Sequence, residues 1–115
     1  MKFDIEYWIE QLNENIPIRY FKRIVPQYRF VTYINHSIIL FKGNHYDATF
    51  MFIKRTYDFL EENKKESISS EYLKSVHGYL KELYEHLTKN NLIKEELISK
   101  YDEKLKLTMA IHNGG

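Results

Sequence analysis

The chain has 115 residues and no cysteine. That excludes a thiol nucleophile, a disulfide scaffold and any zinc site built on thiolates. The groups left for proton transfer or metal ligation are five histidines (His36, His45, His77, His86 and His112) and 16 acidic residues. No two histidines stand four apart, so the paired ligands of a helical zinc site are missing. Glu82 and His86 do have that spacing, but two ligands do not make a site. His45-x-Asp47 reads as helix-entry chemistry. Glu61-Glu62 and Glu95-Glu96 are sequence neighbours that project in different directions on a helix, so neither is a paired acid and base. Gly43 and Gly78 stand alone and Gly114-Gly115 close the sequence. There is therefore no glycine-rich phosphate loop, and no serine sits in a nucleophile elbow. The residues predict no catalytic site, no metal and no cofactor.

One pair has the types for phosphodiester cleavage. Arg29 and His36 are separated by six residues. A cationic Arg and a titratable His facing one phosphodiester stabilise charge and move a proton. The pattern resembles the Arg-x4-6-His signature of the helical HEPN ribonucleases over eight residues. It departs from that family at Phe30, where a polar residue is usual. The competing reading is a structural polar stripe on a helix.

Binding chemistry is more concentrated. The segment PIRYFKRIVPQYRF, 17–30, sets basic and aromatic residues between and after two prolines. No acidic residue occurs between Glu14 and Asp47, whereas Arg19, Lys22, Arg23, Arg29 and Lys42 do. Five of the 17 basic residues lie there, leaving 12 to face all 16 acids elsewhere. Charge is segregated although the total is only +1. Basic side chains neutralise phosphates and aromatics stack on bases, but Tyr and Arg are also enriched in protein interfaces. A near-neutral domain with a small basic patch lacks the high pI of a dedicated nucleic-acid binder. The expected partner is another protein with an acidic surface, met by Arg19, Tyr20, Lys22, Arg23, Tyr28 and Arg29. A nucleic-acid-binding regulator using 17–30 is the alternative.

The elements that must position these residues read as helices. Residues 3–14 place Ile5, Trp8, Ile9 and Leu12 at helical spacing, with Glu6, Glu10 and Glu14 on another face. Pro17 suits the first turn of a short helix over 17–25, which Pro26 ends. Residues 27–42 fit a central, mostly buried helix with Val31, Ile34, Ile38 and Phe41 on one face, capped by Gly43 or Asn44. They also fit a β-hairpin over 28–42 turning near Asn35-His36, although Asn-His is a poor two-residue turn. Residues 46–64 form a helix with Asp47 as its N-cap and Phe50, Ile53, Tyr57 and Leu60 facing the core. Residues 69–89 carry a heptad seam of Leu73, Val76, Leu80, Leu83 and Leu87. Residues 92–111 repeat Ile93, Leu97, Tyr101, Leu105 and Met109. Glu85–Lys89, Glu96–Lys100 and Asp102–Lys106 have the favourable helical orientation. Tyr72, Tyr79 and Tyr84 stand off the leucine seam and serve either protein contacts or core packing.

These elements predict one domain over 1–115. Its fold is mainly α, a bundle of five or six helices ending in a long antiparallel helical hairpin. The alternative is an α+β fold with the 28–42 hairpin. Self-association through the heptad seam competes with an intramolecular hairpin that uses the same leucines. The acidic start MKFDIEYWIE is unlike a signal peptide, and no apolar run reaches membrane-spanning length, so the expected location is cytoplasmic. Lys, Asn, Ile, Tyr and Phe make up 51 of the 115 residues and only two are Ala. That bias toward A+T-rich codons points to a low-GC bacterium or its phages. The functional expectation is a non-enzymatic protein-binding regulator or inhibitor, of phage or mobile-element type, acting against a host defence system.

Overall fold

The computed structural model describes residues 3–15, 25–62 and 70–114. The expected helix over 17–25 lies outside them except at its last residue. Five helices occur among the described residues: α1 (Ile5–Asn15), α2 (Val25–Lys42), α3 (Tyr46–Glu62), α4 (Ser70–Lys89) and α5 (Glu95–Gly114). No strand occurs among them, so 28–42 is helix and not hairpin. The hairpin needed a tight turn at Asn35-His36, while the helix buries Phe30, Val31 and Ile34 together. Pro26 falls in the first turn of α2, where its missing N–H removes no intrahelical bond.

Local chemistry sets the ends. The Asp4 carboxylate accepts from the Tyr7 N–H at 3.1 Å and caps α1. α2 and α4 end in the same motif. His45 N–H donates to Leu40 O at 2.9 Å and Asn44 N–H to Phe41 O at 3.0 Å. After α4, Leu92 N–H donates to Leu87 O at 3.0 Å and Asn91 N–H to Thr88 O at 3.3 Å. Asn44 (φ 62°) and Asn91 (φ 54°) hold the left-handed position that this cap demands. Of the two candidates for capping α2, Asn44 is therefore the one used. Asp47 has a different role from the expected cap of α3: it accepts from Lys94 N–H at 2.9 Å and ties the start of α5 to that of α3.

Cross-helix contacts give the arrangement. α2 and α3 run antiparallel, with Phe30 against Phe59 and Phe41 against Tyr46. α3 and α4 run antiparallel, with Phe50 against Tyr84 and Tyr57 against His77. α4 and α5 form the expected antiparallel hairpin, joined by Tyr84–Asp102 and His77–His112. α1 lies antiparallel on α4, with Trp8 on Gly78 and Asn15 bonded to Ser75. The central helix is α4 and not α2 as the sequence suggested. α4 buries Tyr72, Val76, Tyr79, Leu80, Leu83, Tyr84 and Leu87, while α2 leaves Arg29, Asn35, His36, Ile39 and Lys42 in solvent.

The tyrosines of α4 are core residues, which removes them as a contact surface. Tyr79 is fully buried and its hydroxyl meets Ser37 Oγ at 2.7 Å. Ser37 donates to Ile34 O at 2.6 Å, so it accepts from Tyr79 and both buried hydroxyls are satisfied. The Tyr84 hydroxyl donates to the Asp102 carboxylate. Phe50, Ile53, Tyr57, Leu60, Leu105 and Met109 are buried as their spacing predicts. Glu85–Lys89 and Asp102–Lys106 form at 3.8 and 3.2 Å. Lys100 instead lies over the Tyr101 ring. No described helix is long and apolar enough to cross a membrane.

Candidate functional site

Of the six residues expected to meet a partner, Arg19, Tyr20, Lys22 and Arg23 lie outside the described residues. Tyr28 is on the first turn of α2, with its side chain also outside them. Arg29 is exposed on α2, the adjacent turn. The surface around it continues onto α3. Tyr33 sits one turn beyond Arg29 and packs edge-on against Phe52 of α3 at 6.1 Å. His36 meets the same Phe52 ring at 5.6 Å. The exposed Arg55 guanidinium also lies 5.0 Å from that ring.

The result is a basic and aromatic face shared by two helices. Neither Arg29 nor Arg55 makes an ion pair among the described residues. α2 contains no acidic residue, and α3 contains none from Ala48 to Tyr57. Two other cations of these helices are already engaged: Lys42 pairs with Glu6 at 2.9 Å and Lys54 with Asp58 at 2.6 Å. Arg55 was the residue sequence reading missed. Its signal was the acid-free interval on α3, which becomes meaningful only once α3 is seen beside α2.

The Arg29 and His36 pair does share a face, two turns apart and roughly 10 Å along the axis. No carboxylate hydrogen-bonds to either side chain among the described residues, so nothing orients His36 as a base. Phe30, where the HEPN pattern has a polar residue, is fully buried against Phe59 and Tyr72.

A second constellation comes from residues far apart in sequence. His77 of α4 stacks near-parallel with His112 of α5, ring centres 5.9 Å apart. Both approach Tyr57 of α3, at 6.2 and 5.8 Å. His112 Nε2 is 2.8 Å from Glu61 Oε1. Burial lowers the His77 pKa, and His112 lowers it further. The His77 Nδ1 atom is buried with no hydrogen-bond partner. His77 and His112 border a groove of about 860 Å³ over α4, walled by α1 on one side and His112 on the other. The sequence held no spacing that would pair His77 with His112, because the contact depends on the register of the α4–α5 hairpin. No group of three or more His, Asp or Glu among the described residues could hold a metal ion. His86, taken with Glu82 as a helix pair, packs its ring on Phe3 and Phe41.

Comparison with protein-family models, with curated proteins and with solved structures finds no match. The functional reading therefore rests on the chemistry of these surfaces.

Proposed function

We propose that the protein is a non-enzymatic regulator or inhibitor that binds an acidic surface of another protein. The contact is the α2–α3 face, Arg29, Tyr33, His36, Phe52 and Arg55; Arg19, Tyr20, Lys22, Arg23 and Tyr28 belong to the proposal on their sequence alone. The observation that carries this is the pair of exposed arginines, unpaired among the described residues, beside the Tyr33–Phe52 rings, where α2 has no acid and α3 has none from Ala48 to Tyr57. Arg and aromatic side chains together are what interface anchors use: rigid area plus planar donors for carboxylates. Burying that face against a partner blocks whatever the partner's acidic surface would otherwise engage. The A+T-biased composition supports a source in a low-GC bacterium or its phages, where a small inhibitor of a host defence protein fits this mode of action.

The test is affinity capture from a nuclease-treated lysate of a low-GC bacterium, with wild type beside Arg29→Glu/Arg55→Glu. A protein recovered by wild type and lost by a variant of unchanged circular dichroism supports the proposal. Equal recovery by both removes the face from consideration. Fluorescence anisotropy with single-stranded DNA, duplex DNA and RNA supplies the other arm. Affinity that collapses between roughly 50 and 200 mM salt, and is lost in the variant, reassigns the face to nucleic acid.

A further inference from the structure

The groove over α4 is separate from the α2–α3 face and has its own chemistry. It is the strip of α4 left open between α1 and the end of α5. Lys74 and Lys81 line it two turns apart, roughly 10 Å along the helix. Both are exposed, and neither makes an ion pair among the described residues. His77 sits between them. Because its Nδ1 is buried and unpartnered, a bare lone pair there costs less than a stranded N–H. The proton of the neutral ring then belongs on Nε2, and His77 lines the groove. The opposite wall is aromatic. Trp8 lies with the end of its indole against Gly78, and Tyr7 meets it edge-on at 5.0 Å while half-exposed. Gly78 leaves room for that indole to seat on α4, where a side chain would collide with it. The volume, about 860 Å³, is in the range that takes ligands of nucleotide size.

The geometry points to a binding site here for a small aromatic anion, a planar ring bearing one phosphate or carboxylate. The ring stacks on the Tyr7–Trp8 wall and the charge lies between Lys74 and Lys81, with the His77 Nε2–H as an oriented donor. Three donors on one helix stripe match the oxygens of such a group, and two unpaired ammonium groups supply the attraction. Glu71, the acid at one end of the groove, is already engaged, with Ser70 Oγ 3.4 Å away.

Trp8 is the chain's single tryptophan, so its indole N–H gives one signal that reports on the groove. The experiment follows that signal in ¹⁵N-labelled full-length protein during titration with adenosine 5′-monophosphate or with benzoate. Adenosine and inorganic phosphate are the ring-only and charge-only controls. A saturable shift with either anion, at least about tenfold weaker in Lys74→Glu/Lys81→Glu, supports the site. The anion that binds then identifies the head group. Lys100→Glu/Lys104→Glu on the outer face of α5 should leave the titration unchanged. No shift with either anion, binding undiminished in Lys74→Glu/Lys81→Glu, or binding equally weakened in the α5 variant overturns the proposal. Circular dichroism confirms that each variant is folded, since all four lysines are solvent-facing.

Discussion

Gly78→Ala sets two effects of opposite sign against each other. Gly78 lies inside α4, where glycine is less favourable than alanine by roughly 0.8–1.0 kcal/mol. Helix propensity alone therefore predicts that the substitution stabilises. The structure predicts otherwise. The new Cβ would stand 2.6 Å from Trp8 Cη2 and 3.2 Å from Cζ3. Carbon atoms settle at roughly 3.5–4.0 Å, so the indole must retreat by about an ångström. Its retreat is constrained, because Tyr7 packs on it and α1 docks on α4 through it. Overpacking by one methyl costs roughly 1–3 kcal/mol. With about 2 kcal/mol for the clash and about 1 kcal/mol returned by the helix, the net loss is about 1 kcal/mol. In a Trp8→Phe background the far indole atoms are gone, and the same substitution should stabilise by about 0.8–1.0 kcal/mol. The coupling between the two sites is then about 2 kcal/mol. Urea unfolding followed by far-UV circular dichroism measures all four corners of the cycle. If Gly78→Ala raises the wild-type midpoint by the full helix-propensity gain, Trp8 is not seated on α4 and the aromatic wall of the groove goes with it.

Two further outcomes follow from polar groups. Burial, and then the charge of His112, depress the His77 pKa, so the unfolded chain binds that proton at higher pH than the folded one. Its contribution is present in full above the unfolded value of about 6.5 and is lost as pH falls through the folded value. The groups facing it are Tyr57 from α3, His112 from α5 with Glu61 behind it, and Lys74 and Lys81 on its own helix; urea midpoints should fall from pH 7.5 to 5.5, less steeply in His77→Gln, and an equal slope in both proteins would remove His77 as the cause. Tyr84→Phe should cost about 1–2 kcal/mol, since the lost hydrogen bond is to a carboxylate that Lys106 still partners at 3.2 Å. A thermal or urea midpoint unchanged within error would show that the Tyr84–Asp102 bond adds nothing net.

Periodicity made the helices legible. On α3, Phe50, Ile53, Tyr57 and Leu60 are buried as the helical repeat predicts, with Thr49, Thr56 and Phe59 buried beside them. On α4 it left the tyrosines open between core and contact surface. A helix packed on several sides buries residues beyond one seam, so the leucine spacing alone did not decide whether Tyr72, Tyr79 and Tyr84 were core or surface. Their hydroxyls concealed the role: Tyr79 needs Ser37 of α2 and Tyr84 needs Asp102 of α5 to be buried at acceptable cost. Those partners are 42 and 18 residues away. The basic segment was legible as composition, since absence of acids needs no geometry. Its continuation to Arg55 was not, because that depends on how α2 lies against α3.

Both candidate surfaces follow from one packing problem. With α4 at the centre, each neighbour covers part of it, and what is left uncovered must carry residues that water accepts. Lys74, His77 and Lys81 occupy the open strip. On the outside of α2 and α3 the same requirement is met by Arg29, His36 and Arg55. Solvation alone would be served equally by mixed charges, such as the acids and bases interspersed along α5. Among the described residues, no acid pairs with the exposed Lys or Arg of either surface. Exposed substitutions usually change stability by no more than about 0.5 kcal/mol. Reversing the charge on either surface should thus leave the bundle folded while removing whatever that surface binds. The two surfaces draw on different helices, so each loss can be assigned to its own site.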